Sequence, residues 1–322
     1  MAKKHMVAAL NEALRICMKE DENVLILGED VGIDGGVFRV TEGLIDEFGD
    51  NRVIDTPVAE AAVVGAGIGM AIGGLKPIAE MQFSGFSYQA FAHIKQHMAR
   101  FRQRTEGTMT VPLVVRAPYA GGIRALEHHS ESPESFYAHC QGLKVVIPSN
   151  PYDAKGLLIA AVESKDPVIF LEPKKLYRSF REEVPEEKYS IEIGKANVVQ
   201  EGKDVTVISY GSMMPLCKEL AAEYEKSVEL IDLRTIHPLD METILSSAKK
   251  TGRVVVVHEA QKNLGVGAEI AARIQEEIIL NLKAPVIRVG APNVPYPQFA
   301  LENYYIPTKK RILKGMEEVF NY

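Results

Sequence analysis

The run from Ala61 to Leu75 contains no charged residue and consists mostly of Ala, Gly, Val and Ile. This composition predicts a buried helix, with Thr56 as its N-cap and Pro57 in its first turn. Glu60 is the acid at the head of the run. Burying an ionised carboxylate is costly unless it is paired, hydrogen-bonded or protonated, so Glu60 is a candidate for chemistry. The helix dipole alone would also favour an acid there, and the local pattern leaves both explanations open.

Glycines in this run recur at every fourth position, Gly65, Gly69 and Gly73, and therefore share one face of the predicted helix. Each costs the helix up to about 1 kcal/mol relative to alanine, so we expect another backbone to pack closely on that face. The spacing of Gly65, Gly67 and Gly69 is also similar to the start of a dinucleotide-binding motif. The sixth position is Met70, and no tight strand-to-helix turn precedes the run, so a nicotinamide site is excluded.

Composition indicates a globular protein. The chain has 322 residues, enough for two domains, and its 46% hydrophobic and 25% charged residues are ordinary values. The net charge of −6 gives no basic surface for nucleic acid, and no stretch is long and apolar enough to predict a membrane span. Cys17, Cys140 and Cys217 are far apart, which predicts structural thiols in a reducing compartment. We expect a cytoplasmic protein with no nucleic-acid or membrane partner.

Short apolar strands alternate with helices along the whole chain. This alternation predicts an α/β fold with mostly parallel sheets and helices on both faces of each sheet. The polar segment from Arg181 to Tyr189 contains Pro185 and predicts a linker. We therefore expect two domains, residues 1–185 and residues 186–322. In the first, the segment from Phe83 to Arg104 is expected to form one long helix.

Histidines provide two further candidates for a site. His93 and His97 lie four residues apart, but a zinc-protease motif needs Glu directly after the first histidine, where Ile94 stands. The sequence also contains neither a G-x-S-x-G elbow nor a P-loop. His128 and His129 lie in a glycine-rich polar loop that follows a strand, a place where functional groups often lie and where histidines titrate near neutrality. A solvated side chain is the simpler alternative for either of them.

Several segments resemble one known family. They are GEDV, RVIDTPVAEAAVVGAGIGMAIGGLKPIAEMQF, HHSESPESFYAHCQGLKVVIP, PYDAKGLL and VELIDLRTIHPLD. The family is that of the beta subunits of thiamin-diphosphate-dependent 2-oxo acid dehydrogenases, the decarboxylating first components of the pyruvate and branched-chain 2-oxo acid dehydrogenase complexes. The resemblance covers nearly the whole chain. It implies a thiamin pyrimidine-binding domain followed by a transketolase C-terminal-like domain, in agreement with the two expected units.

The resemblance implies roles for particular residues of this sequence. It implies that Glu60 hydrogen-bonds a ring nitrogen of the aminopyrimidine of thiamin diphosphate and so controls a proton on that ring. It places Phe86 where an aromatic side chain stacks on the pyrimidine, and it adds Gln89 and Glu29 to the cofactor-binding set. It matches His129 to an active-site histidine that assists the reaction or the passage of the acyl group to a lipoyl arm.

A potassium site is also implied by the resemblance. Some members of the family coordinate potassium, mostly through backbone oxygens, at positions that correspond here to Leu113, Ala161, Val162, Ser164 and Asp166. This sequence has Ser164 and Asp166 where those members often carry Asp and Asn.

Other subunits are expected to complete the site. Thiamin enzymes hold magnesium and the diphosphate with a Gly-Asp-Gly motif, and this chain has only Gly49-Asp50-Asn51. The resemblance therefore implies an alpha subunit that holds magnesium and the diphosphate in an α2β2 heterotetramer, with the glycine face of the predicted helix in the subunit contact. It also implies a lipoylated acyltransferase component as a partner, which we expect at the acidic C-terminal domain that ends in Phe320-Asn-Tyr322.

Three functions remain open from the sequence. The first is the beta subunit that acts on a 2-oxo acid, the second is the C-terminal subunit of a split transketolase, and the third is a non-catalytic α/β binding subunit in which Glu60 only stabilises a helix. The segments HHSESPE and LRTIHPLD favour the first. Within it, HHSESPESFYAHC and the C-terminal end favour a branched-chain substrate over pyruvate.

Overall fold

A computed structural model describes residues 2–322, and it shows two layered α/β units. The strands are β1 (Ala2–Lys4), β2 (Val24–Gly28), β3 (Val53–Asp55), β4 (Lys76–Glu80), β5 (Val114–Tyr119), β6 (Lys144–Val146), β7 (Val168–Pro173), β8 (Glu182–Val184), β9 (Asn197–Gln200), β10 (Val205–Ser209), β11 (Val228–Asp232), β12 (Thr235–His237), β13 (Val254–Gln261) and β14 (Ile287–Ala291).

Helices connect most of these strands. They are α1 (Met6–Glu20), α2 (Leu44–Phe48), α3 (Glu60–Ile72), α4 (Phe91–His93), α5 (Phe101–Arg104), α6 (Glu134–Ala138), α7 (Pro151–Glu163), α8 (Met214–Glu223), α9 (Met241–Thr251), α10 (Val266–Ile278), α11 (Glu302–Tyr305) and α12 (Lys309–Glu318). In the part of the chain that the structure describes, no helix has both the length and the apolar character needed to cross a membrane.

Two mostly parallel sheets organise the chain, so the predicted α/β class is confirmed. The larger has seven strands in the order β12-β6-β7-β5-β4-β2-β3, and the smaller has five in the order β14-β13-β10-β11-β9. In the larger sheet, Ile169 and Leu171 of β7 belong to one apolar cluster and Val168 and Phe170 to another. Both faces of this sheet are therefore covered, which explains why its strands are mostly apolar.

The predicted division at residues 185 and 186 falls between β8 and β9 and stays a prediction. Two features near it differ from expectation. The expected linker contains β8, which pairs with β1 at the N-terminus, and β12 leaves the second half of the chain to pair antiparallel with β6. Neither pairing is visible in local patterns, because each joins strands distant in sequence.

The predicted long helix from Phe83 to Arg104 is wrong. The segment is divided into a 3-10 turn over Phe86–Ala90, the short α4, a π-helical turn over Ile94–Met98 and the short α5. The 3-10 and π-helical turns span only five residues each, too few for apolar periodicity to distinguish them from an α-helix.

Candidate active site

The carboxyl ends of adjacent parallel strands bring together the segments that carry the expected site residues. β2 pairs in parallel with β3 and β4, and β4 pairs in parallel with β5. Glu29 directly follows β2, Glu60 begins the helix after β3, Phe86 follows β4, and His129 follows β5. Loops that follow neighbouring parallel strands leave from one edge of a sheet, so all four residues lie at the same edge.

Glu60 is a buried acid, 7% exposed, and it is the first residue of α3. None of the hydrogen bonds or ion pairs within residues 2–322 uses its carboxylate. Glu29 is also 7% exposed, and burial together with the nearby Glu60 carboxylate raises the pKa of Glu29. A buried carboxylate with free lone pairs is suited to accept a hydrogen bond from a ligand or to hold a proton for it.

The predicted start of this helix is wrong. Neither Thr56 nor Pro57 belongs to it: the residue before Glu60 is Ala59, and no side chain caps the helix. Thr56 is held outside because its backbone N–H donates to the Gly28 carbonyl at 2.9 Å, which continues the pairing of β3 with β2. Glu60 is therefore the first residue of the helix and lies at the positive end of the helix dipole.

The predicted burial of α3 is right for only one face. Val64 and Ile68 are buried, but Gly69 and Gly73 are exposed, and no atom lies within 4 Å of the position that a Cβ on Gly69 would take. The face of α3 that carries Gly69 and Gly73 is therefore exposed in this chain and has no bulky side chain at these positions.

Phe86 is half-buried on the 3-10 turn that packs against α3. Its ring centroid lies 5.2 Å from that of His129 and 5.5 Å from that of Phe83. Gln89 is exposed three residues further along, and residues at this spacing lie on the same side of a 3-10 turn. An aromatic surface next to the start of α3 can accept a flat heterocycle by stacking.

His129 lies half-buried on a short 3-10 turn and contacts this aromatic surface. Its ring centroid is 4.5 Å from that of Phe83 and 4.6 Å from that of His128. Burial, with the charge of neighbouring His128, lowers the pKa of His129. Its Nδ1 is buried and has no hydrogen-bond partner among residues 2–322. A neutral imidazole with an unpartnered nitrogen is a suitable proton acceptor or donor for a ligand.

The backbone oxygens expected to bind potassium already accept protein hydrogen bonds. The Leu113 carbonyl accepts from the Val168 N–H at 3.0 Å, and the Ala161 carbonyl accepts from the Ser164 N–H at 3.2 Å. Val162 is buried beside Ala161 in the apolar cluster. The Leu113 carbonyl therefore pairs with the first residue of β7, and the Ala161 carbonyl pairs with the residue that follows α7.

Two cationic side chains occupy the remaining part of the expected potassium site. The Lys144 ammonium donates to Ser164 Oγ at 2.9 Å, and the Arg102 guanidinium forms an ion pair of 2.8 Å with the Asp166 carboxylate. A potassium ion there would be repelled by both of these charges. These contacts argue against a potassium ion at these residues, and the expectation of one stays a prediction.

A buried ion-pair network was missed by sequence reasoning. The Arg116 guanidinium donates to Glu80 at 2.5 Å and to Glu172 at 2.6 and 2.9 Å, and the Tyr177 hydroxyl donates to Glu172 at 2.7 Å. Arg116 and Glu172 are each the only charged residue of a strand, and Glu80 ends a third strand; charged residues at such positions are the signal that could have revealed the network. The network joins β4, β5 and β7 beside the site.

Two known domain families match successive parts of the chain, and this division agrees with the two sheets apart from β12, which pairs with the larger sheet. Residues 2–179 match the transketolase pyrimidine binding domain, and residues 194–312 match the transketolase C-terminal domain. A solved structure described as a split gene transketolase, inactive beta4 tetramer, superposes with a TM-score of 0.80 over 99% of both chains at 23% identity. That likeness shows the fold. The fold and the matched domains define a transketolase-like protein.

Relatives that match over their full length identify one family within this class. A pyruvate dehydrogenase E1 component subunit beta from Staphylococcus epidermidis is 53% identical, and one from Staphylococcus aureus is 51% identical, each covering 100% of both chains. The chain belongs to the family of pyruvate dehydrogenase E1 beta subunits, which confirms the resemblance found in the sequence. Membership of this family implies dependence on thiamin diphosphate and an alpha-subunit partner.

Proposed function

We propose that the chain is the catalytic beta subunit of a 2-oxo acid dehydrogenase that decarboxylates pyruvate and transfers the acyl group to the lipoyl group of an acyltransferase component. The observation that carries this proposal is the buried Glu60 carboxylate, unpartnered within residues 2–322, at the head of α3 beside the aromatic surface of Phe86. We propose the cytoplasm as its location, because its three cysteines are buried and form no disulfide with one another.

Pyruvate is proposed as the substrate in place of a branched-chain 2-oxo acid. The expectation of a branched-chain substrate was based on short segments of sequence, and it gains no support from the full-length relatives, which are named for pyruvate. Rates of the reconstituted enzyme with pyruvate and with 3-methyl-2-oxobutanoate test this choice. A higher kcat/KM for pyruvate is expected, and a higher value for the branched acid would overturn it.

We propose that three residues act on the pyrimidine ring of the cofactor. Two carboxyl groups and an aromatic side chain suit such a ring, because they can hydrogen-bond to its nitrogens and stack on its face. Glu60 would accept a hydrogen bond from the pyrimidine ring or share a proton with it. Glu29 would place a second carboxyl group near that of Glu60. Phe86 would stack on the ring and exclude water from that contact. Thiamin diphosphate, when bound, supplies the electron sink for the loss of carbon dioxide. Gln89 is a further contact that we propose on the exposed side of the same turn.

His129 is proposed to handle protons at the reacting end of the site. Its lowered pKa keeps the imidazole neutral near pH 7, so it can accept a proton or donate a hydrogen bond through its free nitrogen. Contact with Phe83 and Phe86 fixes the ring relative to the stacking surface.

An alpha subunit is proposed to hold the diphosphate and its magnesium in an α2β2 heterotetramer. In this chain Asp50, the acid of the incomplete motif, is exposed on the turn after α2. The exposed small-residue face of α3 (Ala62, Ala66, Gly69 and Gly73) begins beside Glu60, and we propose that it packs against that subunit. Helices approach most closely where their side chains are small.

The variant Glu60→Gln tests the proposal. It keeps the size of the side chain and removes the acid, so decarboxylation of pyruvate by the subunit reconstituted with its alpha partner should fall about 100-fold or more. The assay uses an artificial electron acceptor, and Glu229→Gln, at a buried acid of the second domain, is the control. Activity like the wild type in Glu60→Gln would remove this residue from the mechanism. Ketol transfer between sugars, measured with the same samples, would instead support the split transketolase.

A further inference from the structure

The loop that carries His129 is strained at its start. It spans residues 120–131, between β5 and α6. Ala120 has φ +67°, Gly122 has φ +90° and Arg124 has φ +59°. Positive φ is unfavourable for residues with a Cβ, so Ala120 and Arg124 keep this conformation only if other contacts hold them.

The second domain supplies the first of these contacts. Glu259 of β13 is 3% exposed and accepts a hydrogen bond from the Gly121 N–H of the loop. Its other oxygen accepts from the Ser212 hydroxyl at 2.5 Å. Both oxygens of this carboxylate are therefore used, one of them on the loop backbone.

A second carboxylate holds the loop three residues further on. Glu302, the first residue of α11, is 2% exposed and accepts hydrogen bonds from the Arg124 N–H at 3.1 and 3.2 Å. The Tyr296 hydroxyl donates to the same carboxylate at 2.8 Å. Tyr296 also packs closely against the loop: a Cβ on Gly121 would lie only 1.8 Å from the Tyr296 hydroxyl oxygen.

A buried cation lies near both carboxylates. Lys174 is 3% exposed, and its Nζ has no hydrogen-bond partner among residues 2–322. Burial lowers its pKa to about 8, while the charges of Glu259 and Glu302 oppose that shift. The ammonium therefore offsets part of the cost of burying two acidic side chains in the interior.

From these contacts we propose that Glu259 and Glu302 are positioning residues for His129. They hold the N–H groups of Gly121 and Arg124 and so fix a strained loop that would otherwise sample other conformations. In this arrangement the C-terminal domain sets the geometry of a site that lies on the pyrimidine-binding domain. The proposal depends on the role proposed above for His129.

Amide hydrogen exchange of the full chain, alone and reconstituted with the alpha subunit, tests the contacts directly. In Glu302→Ala and Glu259→Ala, exchange of residues 120–131 should accelerate about tenfold or more, the effect of losing hydrogen bonds to a charged acceptor. Glu302→Gln keeps an acceptor oxygen and should restore most of the protection. Glu229→Ala removes an equally buried acid that accepts from Gly202 and Ser247, away from the loop, and should leave exchange of the loop unchanged. Unchanged exchange in both alanine variants would overturn the proposal.

The protonation of His129 distinguishes positioning from general destabilisation. Burial lowers its pKa, so a loosened loop should move the His129 titration, followed by NMR of its ring proton, towards the ordinary value of 6.5. The shift is expected in Glu302→Ala and not in Glu229→Ala. If the alanine variants fail to fold, Tyr296→Phe removes only one hydroxyl contact and should give a smaller shift in the same direction; the absence of any shift would contradict the proposal.

Activity separates failure of this inference from failure of the proposed function. If His129→Ala keeps full activity while Glu302→Ala loosens the loop, the contacts are right and the role of His129 is wrong. If His129→Ala is inactive while the loop stays protected in Glu259→Ala and Glu302→Ala, the proposed function holds and the positioning role fails.

Discussion

Gly85 contacts the carbonyl oxygen of His128 so closely that a Cβ on Gly85 would lie 2.0 Å from that oxygen. The contact joins the segment that carries Phe86 to the loop that carries His129. It therefore fixes the distance between the stacking surface and the histidine, and only glycine allows it without a shift of one backbone.

Gly85→Ala should lower the kcat of the reconstituted enzyme about 100-fold, since a displacement near 1 Å in a reacting group has that order of effect. The fold should persist, because the strain is local. Gly67→Ala is the matched control: its added methyl group meets the Leu113 side chain at 3.0 Å, which can move. Equal activity of Gly85→Ala and the wild type would show that the contact does not set the geometry.

His129→Ala is expected to reduce acylation of a lipoyl domain more than it reduces binding of thiamin diphosphate, because His129 is proposed to act on protons and not to hold the cofactor. Cofactor affinity is measured by titration of the reconstituted enzyme and acylation by mass spectrometry of the lipoyl domain. His128→Ala removes the exposed neighbour and serves as the control. Losses of equal size in binding and acylation would indicate a structural role for His129.

Ala66→Leu should weaken assembly with the alpha subunit while leaving the isolated chain folded. Ala66 is exposed on the small-residue face of α3, so the larger side chain has room in the free chain but would block a close helix contact. Ala222→Leu adds the same bulk to an exposed position of α8 and should assemble normally. Analytical ultracentrifugation of the mixed subunits compares them. Heterotetramer formation by Ala66→Leu at wild-type concentrations would exclude this face from the contact.

Potassium should not stabilise this chain, because Lys144 and Arg102 already supply positive charge to Ser164 and Asp166. An ion present at 100 times its Kd would add about 2.7 kcal/mol to the free energy of unfolding and raise the Tm by several degrees. Thermal unfolding in equal concentrations of potassium, sodium and choline chloride is expected to give the same Tm. A rise in Tm that is specific to potassium would show that the ion binds at Ser164 and Asp166.

The sequence predicted the parts of the molecule that depend on local pattern. The alternation of apolar strands and helices predicted the mostly parallel sheets, and Glu60 and His129 were selected with the segments that do meet at one sheet edge. The parts that depend on distant contacts were missed. Thr56 is withheld from α3 by the carbonyl of Gly28, and Arg116 is paired by residues of two other strands. Local sequence patterns do not show partners that are distant in sequence.

Glu134 should make the stability of the chain depend on pH. It is 1% exposed, accepts a hydrogen bond from the Tyr210 hydroxyl of the second domain at 2.8 Å, and has its pKa raised by burial from 4.5 to about 7. Between these two values the folded chain keeps a proton that the unfolded chain has lost. The free energy of unfolding should therefore fall as pH rises from about 4.5 to about 7, and the contribution of Glu134 should be constant above that range.

Glu134→Gln is neutral at every pH and should remove this part of the dependence, about 2–3 kcal/mol across the window. Asp232, whose pKa burial also raises to about 7, is present in both proteins, so the difference between them isolates Glu134. Urea unfolding at pH 5 and pH 8 measures it, with the exposed Glu276→Gln as the control. Identical loss of stability with pH in Glu134→Gln and the wild type would show that Glu134 is ionised in the folded chain across this range.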